Sequence, residues 1–149
     1  MSPFKILSEL RLACWSTISL GFRKGWVRRS DIFDYAIGQL MSGDAGQEVA
    51  QIAGGEYLSD EELLELIEDE QQGQNAASDL DKWRLAFLLS IEWSGDSEED
   101  KLCRLQEVYA DFDYPEDMAL CSIYSQGEVS PIVAMSWVVK KLQDELLPS

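Results

Sequence analysis

Carboxylates are the one abundant class of reactive side chain in this sequence of 149 residues, which has 28 acidic residues, 12 basic residues and no histidine. Without histidine the chain lacks the commonest general base near neutral pH, the usual base of serine and cysteine triads, and a frequent zinc ligand. Paired carboxylates can still hydrolyse glycosides or hold a divalent metal ion. An enzyme built on this sequence would therefore depend on carboxylate chemistry alone.

The segment Asp111-Phe112-Asp113 has two closely spaced carboxylates and is the candidate site for such carboxylate chemistry. A calcium-binding loop needs further oxygen ligands, a turn glycine and a glutamate at its twelfth position, whereas here Tyr114 and Pro115 interrupt the ligand pattern and the glycine is missing. The glycine-rich motifs that bind phosphates and dinucleotides are also missing from the sequence. We therefore predict no catalytic residues, no metal and no cofactor, and a binding function rather than catalysis.

The net charge indicates what kind of partner to expect. At a formal charge of -16 the chain repels polyanions, which argues against nucleic acid and anionic membranes, and it attracts basic proteins. The charge is uneven, because the first 30 residues hold six basic residues and one acidic residue, a net of +5, so the remainder carries -21. We expect the basic residues to form internal ion pairs with acidic helices. A surface that merely keeps the protein soluble is the alternative explanation.

The first concentration of acids spans residues 56–70 and has eight carboxylates. On a helix, Glu61, Glu65, Glu68 and Asp69 would lie on related turns, where like charges destabilise a helix by a few tenths of a kcal/mol per pair. A basic partner would relieve this repulsion. The alternative is an ordinary solvated face of an amphipathic helix.

The second concentration spans residues 92–117 and has ten carboxylates. Around the predicted turn at Pro115, aromatic and acidic side chains alternate, which suits an interface because aromatics supply contact area and acids complement arginine or lysine. Alternatively, the aromatics anchor the turn in the core and only the acids face water. The aromatic residues are Tyr109, Phe112 and Tyr114, and the acids predicted to bind a partner are Asp111, Asp113, Glu116 and Asp117.

The spacing of apolar residues predicts helices along most of the chain, and strand-like alternation is scarce. Capping signatures at Ser59, Ser97 and Ser130-Pro131 predict helix starts, and Gly43 predicts a helix end. Residues 71–78 are predicted to form a polar loop, with Ser78 or Asp79 capping the most apolar helix. Residues 118–124 fit either a short helix or an extended segment. The sequence thus predicts an all-α, irregular multi-helix bundle, a single domain over residues 1–149.

The cysteines and the amino terminus indicate the compartment. Cys14, Cys103 and Cys121 are an odd number without C-x-x-C spacing, so we expect small buried core residues rather than a disulfide framework. The first 20 residues do not resemble a signal peptide, and no apolar run approaches the ~20 residues that span a bilayer. These features predict a cytoplasmic protein without a membrane span.

The segment from Val108 to Glu116, V-Y-A-D-F-D-Y-P-E, resembles a bacterial domain family in which a segment of this type recurs. Members of that kind occur among the immunity proteins of contact-dependent growth inhibition systems. Supporting similarities lie at residues 15–21, which read W-S-T-I-S-L-G, at residues 34–37, which read D-Y-A-I, and at residues 81–84, which read D-K-W-R.

The resemblance implies a CdiI-like immunity protein. Such a protein is cytoplasmic and binds the toxin domain, the carboxy-terminal region of a CdiA-type protein, that a neighbouring cell delivers. The toxin is often a nuclease, whose cleft is basic because it must hold a polyanion. Toxin-contacting residues cannot be carried over from the family, since immunity interfaces diverge with their toxins. The alternative function is an acidic regulatory or scaffold protein that binds an endogenous basic protein.

Overall fold

A computed structural model describes residues 2–43, 47–70, 76–124 and 129–147 of the chain, without the side chains of residues 48, 69, 70, 76 and 77. In these ranges the chain forms eight α-helices and one 3-10 helix and no strand, which confirms the predicted all-α class. None of the described helices is long and apolar enough to cross a membrane. The helices are α1 (Pro3–Glu9), α2 (Trp15–Lys24), α3 (Arg29–Ser42), α4 (Gln47–Ala53), α5 (Asp60–Glu70), α6 (Ala76–Glu92), α7 (Glu98–Asp111), the 3-10 helix (Glu116–Cys121) and α8 (Pro131–Leu146).

Three helices begin at the predicted capping residues. The Ser59 hydroxyl accepts a hydrogen bond from the Glu62 backbone N–H at 3.2 Å, while the Ser59 N–H donates to the Glu62 carboxylate at 3.3 Å. The hydroxyls of Ser97 and Ser130 likewise each accept a bond from the N–H three residues ahead. These caps satisfy backbone donors that the first turn of a helix leaves unpaired, so local sequence determines where α5, α7 and α8 start.

The structure corrects the predicted start of α6 and decides the conformation of residues 118–124, which the sequence left open. Helix α6 begins at Ala76, so the predicted cap at Ser78 or Asp79 is wrong, and residues 71–75 of the predicted loop lie outside the described residues. Alanine is the strongest helix former, so the Ala-Ala pair before Ser78 favours helical backbone over a cap at that serine. The segment that the sequence left open adopts the 3-10 helix and then leaves helical geometry at Ser122.

The chain divides into two compact units, of which the first comprises residues 1–12 and 81–149. In this unit α7 packs against α8, and both contact the 3-10 helix. Trp83 of α6 is completely buried, with its ring centroid 6.4 Å from that of Phe4 and 6.3 Å from that of Phe87. Nearly every residue from Trp83 to Ile91 is buried, as its apolar composition predicts. The single domain predicted over the whole chain stays a prediction.

The second unit comprises residues 13–80, in which α2 packs against α5, α3 against α4, and α4 against α5. The Trp15 ring meets the Tyr35 ring edge-on at 4.9 Å, and its indole N–H donates to Gln39 at 3.0 Å. Burial raises the pKa of the Tyr35 phenol, Coulombic repulsion from the Cys14 side chain adds to the rise, and a hydrogen bond from Gln39 opposes it. This aromatic pair fixes α2 against α3.

The three cysteines do not share one environment. Cys121 is buried as predicted, and burial, with a smaller contribution from the charge of Asp117, raises the pKa of its thiol to about 11. Cys14 is half-buried. Cys103 is exposed, so the prediction of a buried core residue is wrong there. Helix α7 buries Leu105 and Val108, and Cys103 lies on its solvent side.

Candidate partner-binding surfaces

Three of the predicted partner-binding acids, Asp111, Asp113 and Glu116, lie in the reversal between α7 and the 3-10 helix, which we call the acidic turn. Helix α7 ends at Asp111, and the backbone then takes left-handed angles at Asp113 (φ 62°) and Tyr114 (φ 53°). Aspartate tolerates this geometry better than most residues do. All three acids are exposed, and no salt bridge within the described ranges involves any of them.

The sequence left open whether the aromatic residues of this segment anchor the turn in the core or offer contact area to a partner, and the structure shows both arrangements. Phe112 is buried, with its ring 5.8 Å from that of Phe87, so it anchors the turn in the core. Tyr114 is 62% exposed and meets the ring of Tyr109 edge-on at 5.1 Å. The acidic turn thus has a buried apolar anchor and a supported, exposed aromatic ring beside its carboxylates.

Asp117, the fourth predicted acid of this segment, is engaged inside the fold. One carboxylate oxygen pairs with Arg84, whose side chain is only 7% exposed, and the other accepts a hydrogen bond from Lys141 at 2.9 Å. Arg84 also reaches Asp81 at 3.3 Å. Burial tends to raise the pKa of Asp117, but hydrogen bonds and charge from Arg84 and Lys141 outweigh it and hold the pKa below its ordinary value. Asp117 therefore ties the 3-10 helix to α6 and α8.

This ion-pair cluster predicts a specific pH dependence for the Asp117→Asn variant. Because the folded-state pKa of Asp117 is lowered, its contribution to stability is present above the ordinary carboxyl pKa of 3.8 and is lost as the pH falls through the folded value. We expect the substitution to lower the free energy of unfolding by about 1–3 kcal/mol at neutral pH, as for other charged hydrogen bonds. Urea unfolding should show this loss shrinking steadily as the pH is lowered below 4.

Asp111→Asn is the matched control, because Asp111 is exposed and forms no salt bridge in the described part of the chain. We expect it to change the free energy of unfolding by less than about 0.5 kcal/mol. An Asp117→Asn variant that loses the same stability at every pH would contradict the assignment.

The acids predicted to bind a partner from α5 differ in whether a basic side chain pairs with them. Glu61 and Glu65 are exposed, whereas Glu68 pairs with Arg23 of α2. At the start of the same helix, Asp60 pairs with Arg29 at 2.5 Å. For Arg23 and Arg29, these two pairs confirm the expectation that basic residues near the amino terminus form ion pairs with acidic helices. The backbone of Asp69 lies in α5, but its side chain is outside the described residues.

The candidate acids therefore form two separate sets, the acidic turn in the first compact unit and the exposed glutamates of α5 in the second. Among the side chains that the structure describes, no group of three or more Cys, Asp or Glu residues is placed to hold a metal ion. What the exposed carboxylates can do is present negative charge to a cationic surface. Carboxylates engaged by a nearby arginine, such as those of Glu68 and Asp117, are less available for that purpose.

Sequence reasoning missed a groove between α4 and α5. It has a volume of about 420 Å³ and lies beside Tyr57, whose side chain is 85% exposed. The connection between the helices favours a glycine at Gly55, because a Cβ atom there would displace the Leu58 side chain at 2.8 Å and crowd the Ile52 carbonyl oxygen at 3.1 Å. The sequence signal that could have indicated this site is Tyr57, an aromatic residue in the polar turn that follows Gly54-Gly55.

Comparisons with curated proteins and with solved structures found no match to the chain. A protein-family model, described as "Uncharacterized protein conserved in bacteria (DUF2247)", matches residues 4–144. The match covers most of α1, all of α2 to α7 and the 3-10 helix, and most of α8. The chain therefore belongs to this bacterial family.

Proposed function

We propose that the protein is a cytoplasmic immunity protein that binds and neutralises the toxin domain of a contact-dependent growth inhibition system. The proposed partner is a basic, nuclease-type domain from the carboxy-terminal region of a CdiA-type protein. The proposal rests on the resemblance of the segment from Val108 to Glu116 and on the net charge of -16. It involves no catalysis by this chain, and neither nucleic acid nor membrane as a partner.

The observation that carries the proposal is the exposure of the acidic turn. Asp111, Asp113 and Glu116 lie beside the exposed Tyr114, and no basic side chain in the described ranges pairs with them. Because Phe112 anchors the turn in the core, the carboxylates are held on a structured surface rather than on a loose tail. Preformed negative charge next to an aromatic ring suits a cleft that binds phosphates, since the carboxylates can take the place of those phosphates.

The proposal predicts a tight complex with the toxin domain encoded by the neighbouring gene. Mixed with that domain, the purified chain should form a stoichiometric complex that abolishes the toxin's activity. Because charge complementarity contributes to docking, we expect the affinity to fall at least about tenfold between low salt and several hundred millimolar salt. Isothermal titration calorimetry across a salt series measures this change.

The same experiment separates the proposal from its alternative. Absence of binding at low salt would exclude the immunity function for that pair of proteins. If the neighbouring gene encodes no toxin and the chain instead binds an endogenous basic protein stoichiometrically, the protein is an acidic regulator or scaffold. A toxin domain from an unrelated system serves as the control, because immunity requires discrimination as well as charge.

A further inference from the structure

The groove between α4 and α5 has the size and composition of a site for a long side chain. Its volume of about 420 Å³ is within the range of roughly 300–1,000 Å³ that is typical of ligand pockets. It lies wholly in the second compact unit. The described lining residues come from α4, the connecting turn and α5, and they are Gln51, Tyr57, Leu58, Glu62, Glu65 and Leu66.

The described lining of the groove carries negative charge. Its charged residues among those that the structure describes are Glu62 and Glu65, and neither forms a salt bridge with another described side chain. One carboxylate oxygen of Glu62 already accepts a hydrogen bond from the Ser59 N–H, so Glu62 is less available to a ligand than Glu65 is. The arginines that reach α5 pair instead with Asp60 and Glu68, at either side of the groove acids in the sequence. Glu65 is thus available to form an ion pair with a cation from outside the chain.

The remaining walls favour one kind of cation. Leu58 and Leu66 offer apolar surface for a methylene stem, and the exposed ring of Tyr57 offers a face on which a planar cation can stack. An arginine side chain combines an apolar stem with a planar guanidinium that binds carboxylates through two N–H groups, whereas lysine presents a compact, strongly hydrated charge. We infer that the α4–α5 groove receives an arginine side chain of the basic partner, an inference that rests on the proposed function for the identity of that partner.

A small-molecule probe tests the groove without the toxin. We expect N-acetyl-L-arginine amide to bind the full-length chain weakly but saturably, with NMR shift changes centred on Tyr57, Glu65 and Leu66. The citrulline analogue has nearly the same shape without the charge, and it should bind about two- to fivefold more weakly, as for loss of an exposed ion pair. Shift changes centred on the acidic turn instead would overturn the inference.

Single substitutions then identify the contacts. Glu65→Gln and Tyr57→Ala should each weaken probe binding by about two- to fivefold, because an exposed ion pair and an exposed cation–π contact have effects of that size. Glu107→Gln is the matched control, since Glu107 is also an exposed glutamate within a helix and lies outside the groove. If all three variants bind the probe like the unmodified chain, the groove is not an arginine site.

The toxin domain provides the second readout and separates the two proposals. If the toxin domain binds and Glu65→Gln weakens that complex while Glu107→Gln does not, the groove is part of the interface. If the toxin domain binds equally to both variants, the immunity function stands and the groove inference fails. If the probe binds but the toxin domain does not, the proposed function fails and the arginine site remains. Self-association that Glu65→Gln abolishes would instead assign the groove to a second copy of the chain.

Discussion

We expect the Trp83→Ala variant to lose about 3–5 kcal/mol of unfolding free energy, the range measured when a buried tryptophan is truncated. Trp83 is 0% exposed and packs near the rings of Phe4 and Phe87 in the first compact unit. Truncation removes the transfer free energy of the indole ring and leaves a cavity that the surrounding helices can fill only in part. Guanidinium unfolding followed by circular dichroism measures the loss.

Trp137→Ala is the matched control, because it removes the same side chain from a position on α8 that is 54% exposed. We expect it to change the unfolding free energy by about 1 kcal/mol or less. If Trp83→Ala does not fold, Trp83→Phe keeps an aromatic ring and should lose less stability than alanine would. Equal losses for Trp83→Ala and Trp137→Ala would contradict the central position of Trp83.

The helix boundaries that were predictable from sequence are those set by local interactions. The serines at positions 59, 97 and 130 each bond to a backbone N–H three residues ahead, so the information lies within one turn of helix. The predicted helix end at Gly43 closes α3 in left-handed conformation, which glycine adopts without steric cost. Such features depend little on the rest of the fold.

The predictions that failed or stayed open depend on distant parts of the chain. The sequence predicted that Cys103 is buried, but which face of α7 meets the core is decided by the helices packed against it. Likewise, no periodicity favoured the 3-10 helix over extended backbone. Its position is held by Asp117, which pairs with Arg84 and Lys141 from two other helices.

The same limit applies to the candidate partner-binding residues. The sequence could count carboxylates and place them on helices, but it could not tell which ones a basic residue neutralises. Glu68 meets Arg23 and Asp117 meets Arg84 only because separate helices pack together. Of the four acids predicted near Pro115 to bind a partner, the fold leaves Asp111, Asp113 and Glu116 exposed and unpaired among the described residues, whereas Asp117 is paired. A test of partner binding should therefore change the exposed acids and leave Asp117 intact.

Reversing the charge of the acidic turn should slow association with the proposed toxin domain by about tenfold or more, because complementary charge accelerates docking far above the rate of neutral partners. The best variant is Asp111→Lys combined with Glu116→Lys. Asp117 is excluded because its substitution would break the pair with Arg84, and Asp113 because its positive φ disfavours lysine. A lysine at Asp111, the last residue of α7, also suits the negative end of the helix dipole.

The control must carry the same change in net charge at a different place. Asp144→Lys combined with Glu145→Lys meets this condition, since both residues are exposed near the end of α8 and the ion pair that Glu145 forms with Lys141 is long, at 4.0 Å. Stopped-flow association at low salt should show a large decrease for the acidic-turn variant and a small one for the α8 variant, and high salt should bring the two rates together because it screens exposed charges. Equal slowing by both variants would mean that total charge attracts the partner and that the acidic turn is not the contact surface.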